Sequence, residues 1–158
     1  MEKRLALWAI AVASLGFGTG CTANFMMVGS NQAEAPPASP EATYKVPKCV
    51  MVGTDQSTVA GPTGSYYLAT EDGKLVLYEM DGGSGARIDN HWTDADGDHF
   101  FTYVRSRQGW HYVIPKDRTQ PGKRYVLGLG LKYTYEQRED GALHPIGDPA
   151  AMCEMVPN

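Results

Sequence analysis

The chain changes its hydrophobic rhythm twice. Positions 5–17 are almost wholly apolar behind a charged start with Lys3 and Arg4, and Gly18, Thr19 and Gly20 close the run. Over positions 22–48, Ala, Pro, Ser and Glu dominate, and large apolar residues thin out except at Phe25-Met26-Met27-Val28. Such a stretch buries too little surface to fold and predicts an extended, mobile tether. From Cys49 onward, short segments alternate apolar and polar positions, the period of β-strands, with turn residues between them. No helical period of useful length follows the first run.

Taken in order, Cys49-Val50-Met51-Val52 predicts a first strand, and 54–65 a loop punctuated by Gly61-Pro62 and Gly64. Tyr66-Tyr67-Leu68-Ala69 and positions 74–80 predict two strands joined at Glu71-Asp72-Gly73, because Asp-Gly accepts the positive φ of a type I′ turn. Positions 81–85 are loop. Positions 86–115 read as a three-strand meander turning at Asp96-Gly97 and Gln108-Gly109. Two-residue turns there would set Asp94 opposite His99, Trp92 opposite Phe101 and Tyr103 opposite Ile114. Trp92, Phe101, Tyr103, Trp110, Tyr112 and Ile114 would then share one core-forming face. His91, Thr93, Phe100, Thr102, Val104, His111 and Val113 would line the other.

After a loop over 116–123, positions 124–137 predict the longest strand. Its Leu and Tyr positions alternate with Gly128 and Gly130, which suggest curvature or close backbone packing. Asp140-Gly141 turns into a short last strand over 142–146, and a loop reaches Cys153. The expected fold is all-β: a small antiparallel barrel or sandwich of about 7–8 strands. Strand 124–137 also has the look of an outer-membrane barrel strand, but the other strands are too short or too polar for a lipid-facing wall.

The charged start, apolar core and small residues form the three-part pattern of a secretory signal. With Cys21 directly after them, the segment resembles a bacterial lipoprotein signal. That resemblance implies cleavage before Cys21, acylation of Cys21, and an outer-membrane-anchored protein of the cell envelope whose partner is the membrane itself. A plain cleaved signal and an uncleaved anchor helix are the alternatives. The expected division is 1–20 signal peptide, 21–48 lipidated N-terminus and tether, and 49–158 β-domain.

Composition fits one domain: removing the first 20 of 158 residues leaves about 138. The net charge of -4 and the scatter of Lys and Arg offer no basic stripe for nucleic acid. The 18 glycines and 10 prolines favour many turns. If Cys21 carries lipid, Cys49 and Cys153 remain as a pair in a compartment that tolerates disulfides. Such a bond would restrict the unfolded chain by about 4.7 kcal/mol. Two buried thiols are the alternative.

Candidate chemistry is sparse. Asp94-Ala95-Asp96-Gly97-Asp98 spaces carboxylates as a hard cation would want. Its glycine stands fourth instead of sixth, however, and Arg105 occupies the position of the bidentate Glu. The histidines show no ligand spacing for zinc, so neither a metal nor another cofactor is expected. No Gly-x-Ser-x-Gly elbow, His-Glu-x-x-His, phosphate loop or Cys-x-x-Cys is present, and no catalytic residue is assigned.

Asp72-Gly73-Lys74-Leu75-Val76-Leu77-Tyr78, then Gly83-Ser84-Gly85-Ala86-Arg87, then Trp92 and Gly97-Asp98 resemble the centre of the membrane-bound inhibitors of C-type lysozyme. The resemblance implies a periplasmic lipoprotein barrel whose Ser84 and Arg87 contact an enzyme cleft. Three functions follow as expectations. The first is a non-catalytic envelope lipoprotein binding a protein partner or joining an assembly. The others are an inhibitor of a lysozyme-like hydrolase, and an enzyme or ligand carrier with its site in the β-domain.

Overall fold

A computed structural model describes residues 35, 37, 39–53, 57–81, 84–104, 108–128 and 134–158, without the side chain of Ser84. Cys21, the signal and most of the expected tether lie outside the described residues.

The described chain is all-β. Its strands are β1 (Ala42–Lys45), β2 (Lys48–Met51), β3 (Thr58–Ala60), β4 (Ser65–Glu71), β5 (Lys74–Asp81), β6 (Ser84–Ile88) and β7 (His91–Thr93). There follow β8 (Asp98–Val104), β9 (Gln108–Ile114), β10 (Gly122–Leu127), β11 (Thr134–Gln137), β12 (Leu143–Ile146) and β13 (Ala151–Pro157). Every pairing is antiparallel, and the main sheet runs β6-β5-β4-β1-β13-β10-β9-β8-β7. Its outermost strands, β6 and β7, are consecutive in sequence with only Asp89 and Asn90 between them. Two residues span at most about 7 Å, so the sheet must curl until its edges meet. The result is a nearly closed barrel with β6 and β7 at the seam. β11 and β12 form a separate two-stranded sheet.

Alternation sorts each strand into an inner and an outer face. Tyr44, Tyr66, Leu68, Leu77, Ile88, Phe100, Tyr112, Ile114, Cys153 and Met155 all point into the main core. The polar groups sharing that interior gather on Glu79, leaving Arg124 Nε buried without a partner. Glu79 accepts hydrogen bonds from the Tyr66 hydroxyl at 3.1 Å, the Tyr112 hydroxyl at 2.8 Å and Arg124 Nη2 at 3.3 Å. Burial first, then the Glu79 charge, pushes both tyrosine hydroxyls well above their ordinary pKa.

The Asp72-Gly73 turn forms as the sequence predicts. Glu71 pairs with Lys74, and φ is 49° at Asp72 and 76° at Gly73, the two positive values a type I′ turn requires. Cys49 and Cys153 lie directly opposite each other on β2 and β13 and form a disulfide.

Several expectations are corrected. The expected tether extends to 48, but β1 lies inside it and Tyr44 is fully buried, so the β-domain begins near Ala42. β13 begins at Ala151, inside the expected loop before Cys153, and joins β10 on one side to β2 and β1 on the other. The single strand over 124–137 does not exist. β10 ends at Leu127, Gly128 has a φ of 82° that breaks the extended run, and Thr134 resumes in the other sheet. Residues 129–133 lie outside the described residues.

Candidate functional site

The β7–β8 hairpin begins the site. Thr93 pairs with Asp98, so the loop is Asp94-Ala95-Asp96-Gly97 rather than a two-residue turn. Asp94 Oδ1 accepts the backbone N–H of Asp96 at 2.8 Å, the local turn that Asp side chains favour. Gly97 has a φ of 141° and packs so closely that a Cβ would stand 2.2 Å from the Ile114 carbonyl oxygen. That tight turn fixes both neighbouring carboxylates. Asp98 is buried and accepts from His91 Nε2 at 2.9 Å, Thr93 Oγ1 at 2.7 Å and Arg118 Nη2 at 2.6 Å. Burial pushes its carboxyl up, but these donors outweigh burial and hold it below the usual carboxylate range. Asp98 therefore acts structurally, tying β7, β8 and the 115–121 loop together.

The second hairpin decides which rings meet. The sequence reading turns the chain at Gln108-Gly109. In the structure both residues belong to β9, Val104 pairs with Gln108, and the connection covers 105–107. Relative to the expected register the shift is an odd number of residues, which exchanges the two faces of β9. The single aromatic face expected from sequence is thus split. Tyr112 and Ile114 point inward with Phe100. Phe101 and Tyr103 stay on the outer face with Trp92, and His111 joins them there opposite Phe101. The shift in the first hairpin is two residues, so Trp92 faces His99 instead of Phe101 but keeps its side.

On that outer face the imidazoles assemble. His99 Nε2 lies 2.8 Å from Asp94 Oδ1, and His99 Nδ1 lies 2.9 Å from His111 Nε2. The rings of Trp92 and His99 stack at 5.0 Å, and those of Trp92 and His111 at 5.3 Å. Tyr125 on β10 brings its ring to 5.6 Å from His111.

The β11–β12 hairpin adds the other wall. Asn90, at the seam, replaces a strand neighbour for Leu143: its Nδ2 donates to the Leu143 carbonyl at 2.9 Å, and its Oδ1 accepts the Leu143 N–H at 2.8 Å. Tyr135 stacks on Tyr103 at 4.3 Å. So docked, the hairpin sets the buried His144 ring 3.9 Å from Trp92, with His144 Nε2 2.8 Å from Asp140 Oδ2.

Between these walls lies a cleft of about 400 Å³, lined by Trp92, His99, His111, Tyr125, Leu127 and His144, with Asp94, Asp96 and Arg138 at its rim. Burial, then the neighbouring His99 and His144, push the His111 imidazole down to about 3, so it is neutral at neutral pH. Burial raises the Asp94 carboxyl, but the bonds from His99 and from the Asp96 and Gly97 backbone outweigh it and keep the group ionised. The acceptor-only Asp94 carboxylate takes its hydrogen bond from His99 Nε2–H, and one proton bridges His99 Nδ1 and His111 Nε2. A second depression of about 550 Å³ beside Gly73, Asn90 and Gly141 has only the His91 ring among its lining residues. Among the described residues, no three or more His, Cys, Asp or Glu side chains are placed to hold one metal ion.

Of the residues singled out from sequence, Cys49 and Cys153 come together as described. Arg87 lies within β6 with its side chain turned to Glu71 Oε2 at 3.2 Å and Asp89 Oδ2 at 2.7 Å. Ser84 opens the same strand, paired with Asp81. Arg87 does not line the cleft. The sequence reading assigns His91 and His111 to one face and misses the pairing of His99 with His111. The signal was present: Arg105-Ser106-Arg107 is a more polar turn candidate than Gln108-Gly109-Trp110. The arrival of His144 carries no local signal, because it depends on Asn90 some 50 positions earlier.

No protein-family model, curated protein or solved structure matches this chain.

Proposed function

We propose that the protein is a lipid-anchored component of the cell envelope whose β-barrel serves as a non-catalytic binding module, with the outer-face cleft as its ligand site. The anchor rests on the residues before and at Cys21. The binding role rests on one observation: five ring side chains from five strands converge on a cleft large enough for a small ligand. A purely structural outer face would close over its rings, as the barrel interior does. The reading refines the expectation of a partner-binding domain by moving the site from the Ser84–Arg87 region to Trp92, His111 and Tyr125. The intact Arg87 ion pairs favour a stabilising role for that arginine.

A thermal-shift screen of small neutral, cationic and anionic compounds against the full-length protein tests the reading. Wild type should be stabilised by at least one class, and Trp92→Ala should abolish that gain. Stabilisation that survives Trp92→Ala, or none from any class, contradicts it. The anchor is tested by the intact mass of membrane-recovered protein, which should correspond to a chain starting at an acylated Cys21.

A further inference from the structure

The charges around the cleft are largely spent on neighbours. Asp94 Oδ1 receives both His99 and the Asp96 backbone, and Arg138 Nε donates to Glu136 Oε1 at 2.9 Å. Among the described residues, the buried end of the cleft therefore holds no uncommitted cation for a phosphate or carboxylate, and no uncommitted carboxylate for an amine. It offers instead the flat, half-buried rings of Trp92, His111 and Tyr125, beside polar groups whose orientation is fixed. Asp94 holds the His99 ring through Nε2, and His99 Nδ1 holds His111 through Nε2, so both rings are fixed in orientation where they line the cleft. Asp140 orients His144 in the same way, its carboxylate taking the Nε2–H. Asp96, exposed at the rim, adds an oxygen acceptor.

From this we infer that the cleft binds a neutral, hydroxyl-rich ring, that is, a carbohydrate unit of one or two pyranoses. One face of a pyranose is a patch of C–H groups that packs on an aromatic ring. Its edge is a rim of O–H donors that needs acceptors held in place. Anions are disfavoured by the Asp94 and Asp96 carboxylates. A volume of about 400 Å³ accommodates a disaccharide portion of a longer chain and leaves both ends in solvent. This inference rests on the cleft being the ligand site and adds the chemical class.

The test is calorimetric titration of the full-length protein in detergent with cellotetraose and with tetra-N-acetylchitotetraose, alongside choline and inorganic phosphate. At least one neutral tetrasaccharide should bind with a Kd of about 1 mM or tighter, and Tyr125→Leu and His111→Gln should each weaken binding about tenfold. Lys48→Ala, remote from the cleft, should leave it unchanged. Wild-type-like unfolding temperatures for Tyr125→Leu establish that a loss is not misfolding. If His111→Gln fails to fold, Trp92→Phe with Tyr125→Leu carries the comparison. Binding of neither tetrasaccharide, or binding indifferent to the cleft variants, overturns the inference. Saturable binding of choline or phosphate alone, lost in Trp92→Ala, overturns the carbohydrate class while leaving the ligand-site reading intact.

Discussion

The barrel interior and the outer face of β7–β10 are both built from aromatic rings around a few polar groups, yet they end in different states. Inside, Tyr44, Tyr66, Phe100 and Tyr112 are wholly buried, and Glu79 collects the hydroxyls and Arg124 at one point. Outside, Trp92, His111 and Tyr125 are only half-buried, and the polar atoms form a chain that leads from exposed Asp94 into a cleft. The interior uses its rings to exclude water, and its polar groups pair around Glu79, with only Arg124 Nε unpartnered among the described buried side-chain atoms. The outer face uses a two-stranded hairpin as an incomplete cover, and incompleteness leaves a ligand-sized space. Rings of one composition thus exclude water where the sheet closes and, under the proposed binding role, are left to meet a ligand where it does not.

The sharpest way to break this comparison is to remove an interior ring. Phe100→Ala should cost about 3–5 kcal/mol in urea unfolding, since an inaccessible aromatic leaves a cavity. A similar loss from Tyr125→Ala would erase the distinction, for that ring, already partly open to water, should cost about 1–2 kcal/mol. Next in size is the Cys49–Cys153 bond, which spans a sequence separation of 104. Replacing both cysteines by Ser should lower stability by about 2–4 kcal/mol. The cleft rings should keep their arrangement, seen as unchanged histidine NMR signals at pH 7.

The two regions should also separate by pH. A histidine whose folded pKa falls from 6.5 to about 3 takes up protons on unfolding, so stability rises with pH between those values. Conversely, stability is lost as pH falls below 6.5. From pH 6.5 to 5 the loss should approach about 2 kcal/mol in wild type and should shrink in His111→Gln. An identical acid limb in both proteins would remove His111 from the account.

How far the sequence foretold these regions follows from what each depends on. The Asp72-Gly73 hairpin is local: two residues that accept positive φ, flanked by alternating strands, suffice. The disulfide pair emerged from cysteine arithmetic and position. Tyr44 in β1 was hidden because Pro-rich neighbours dominated the composition around it, while its burial comes from strands far along the chain. β13 alternates Ala151, Cys153 and Met155 inward against Met152 and Glu154 outward, a pattern that was readable but brief. The site was lost at one turn. Moving the β8–β9 reversal from Gln108-Gly109 to 105–107 changes the parity of β9, and parity alone decides whether His111 meets His99 or the barrel interior.

A smaller effect probes the cover itself. Asn90→Ala removes both hydrogen bonds to Leu143 and should cost about 1–3 kcal/mol locally. Amide exchange at Leu143 and His144 should quicken, while that of Leu68 and Leu77 inside the barrel should stay slow. Equal acceleration in both places would mean that the hairpin and the barrel open together.

The most direct examination of the central claim is nitrogen-15 NMR of the histidine side chains, recorded from pH 7 to pH 4 with and without a neutral tetrasaccharide. The account predicts a neutral His111 throughout that range, a shared hydrogen bond between His99 Nδ1 and His111 Nε2, and a shift of the His111 Nδ1 signal when the sugar is added. A His111 that titrates near 6.5, shows no coupling to His99 and ignores the sugar would contradict it.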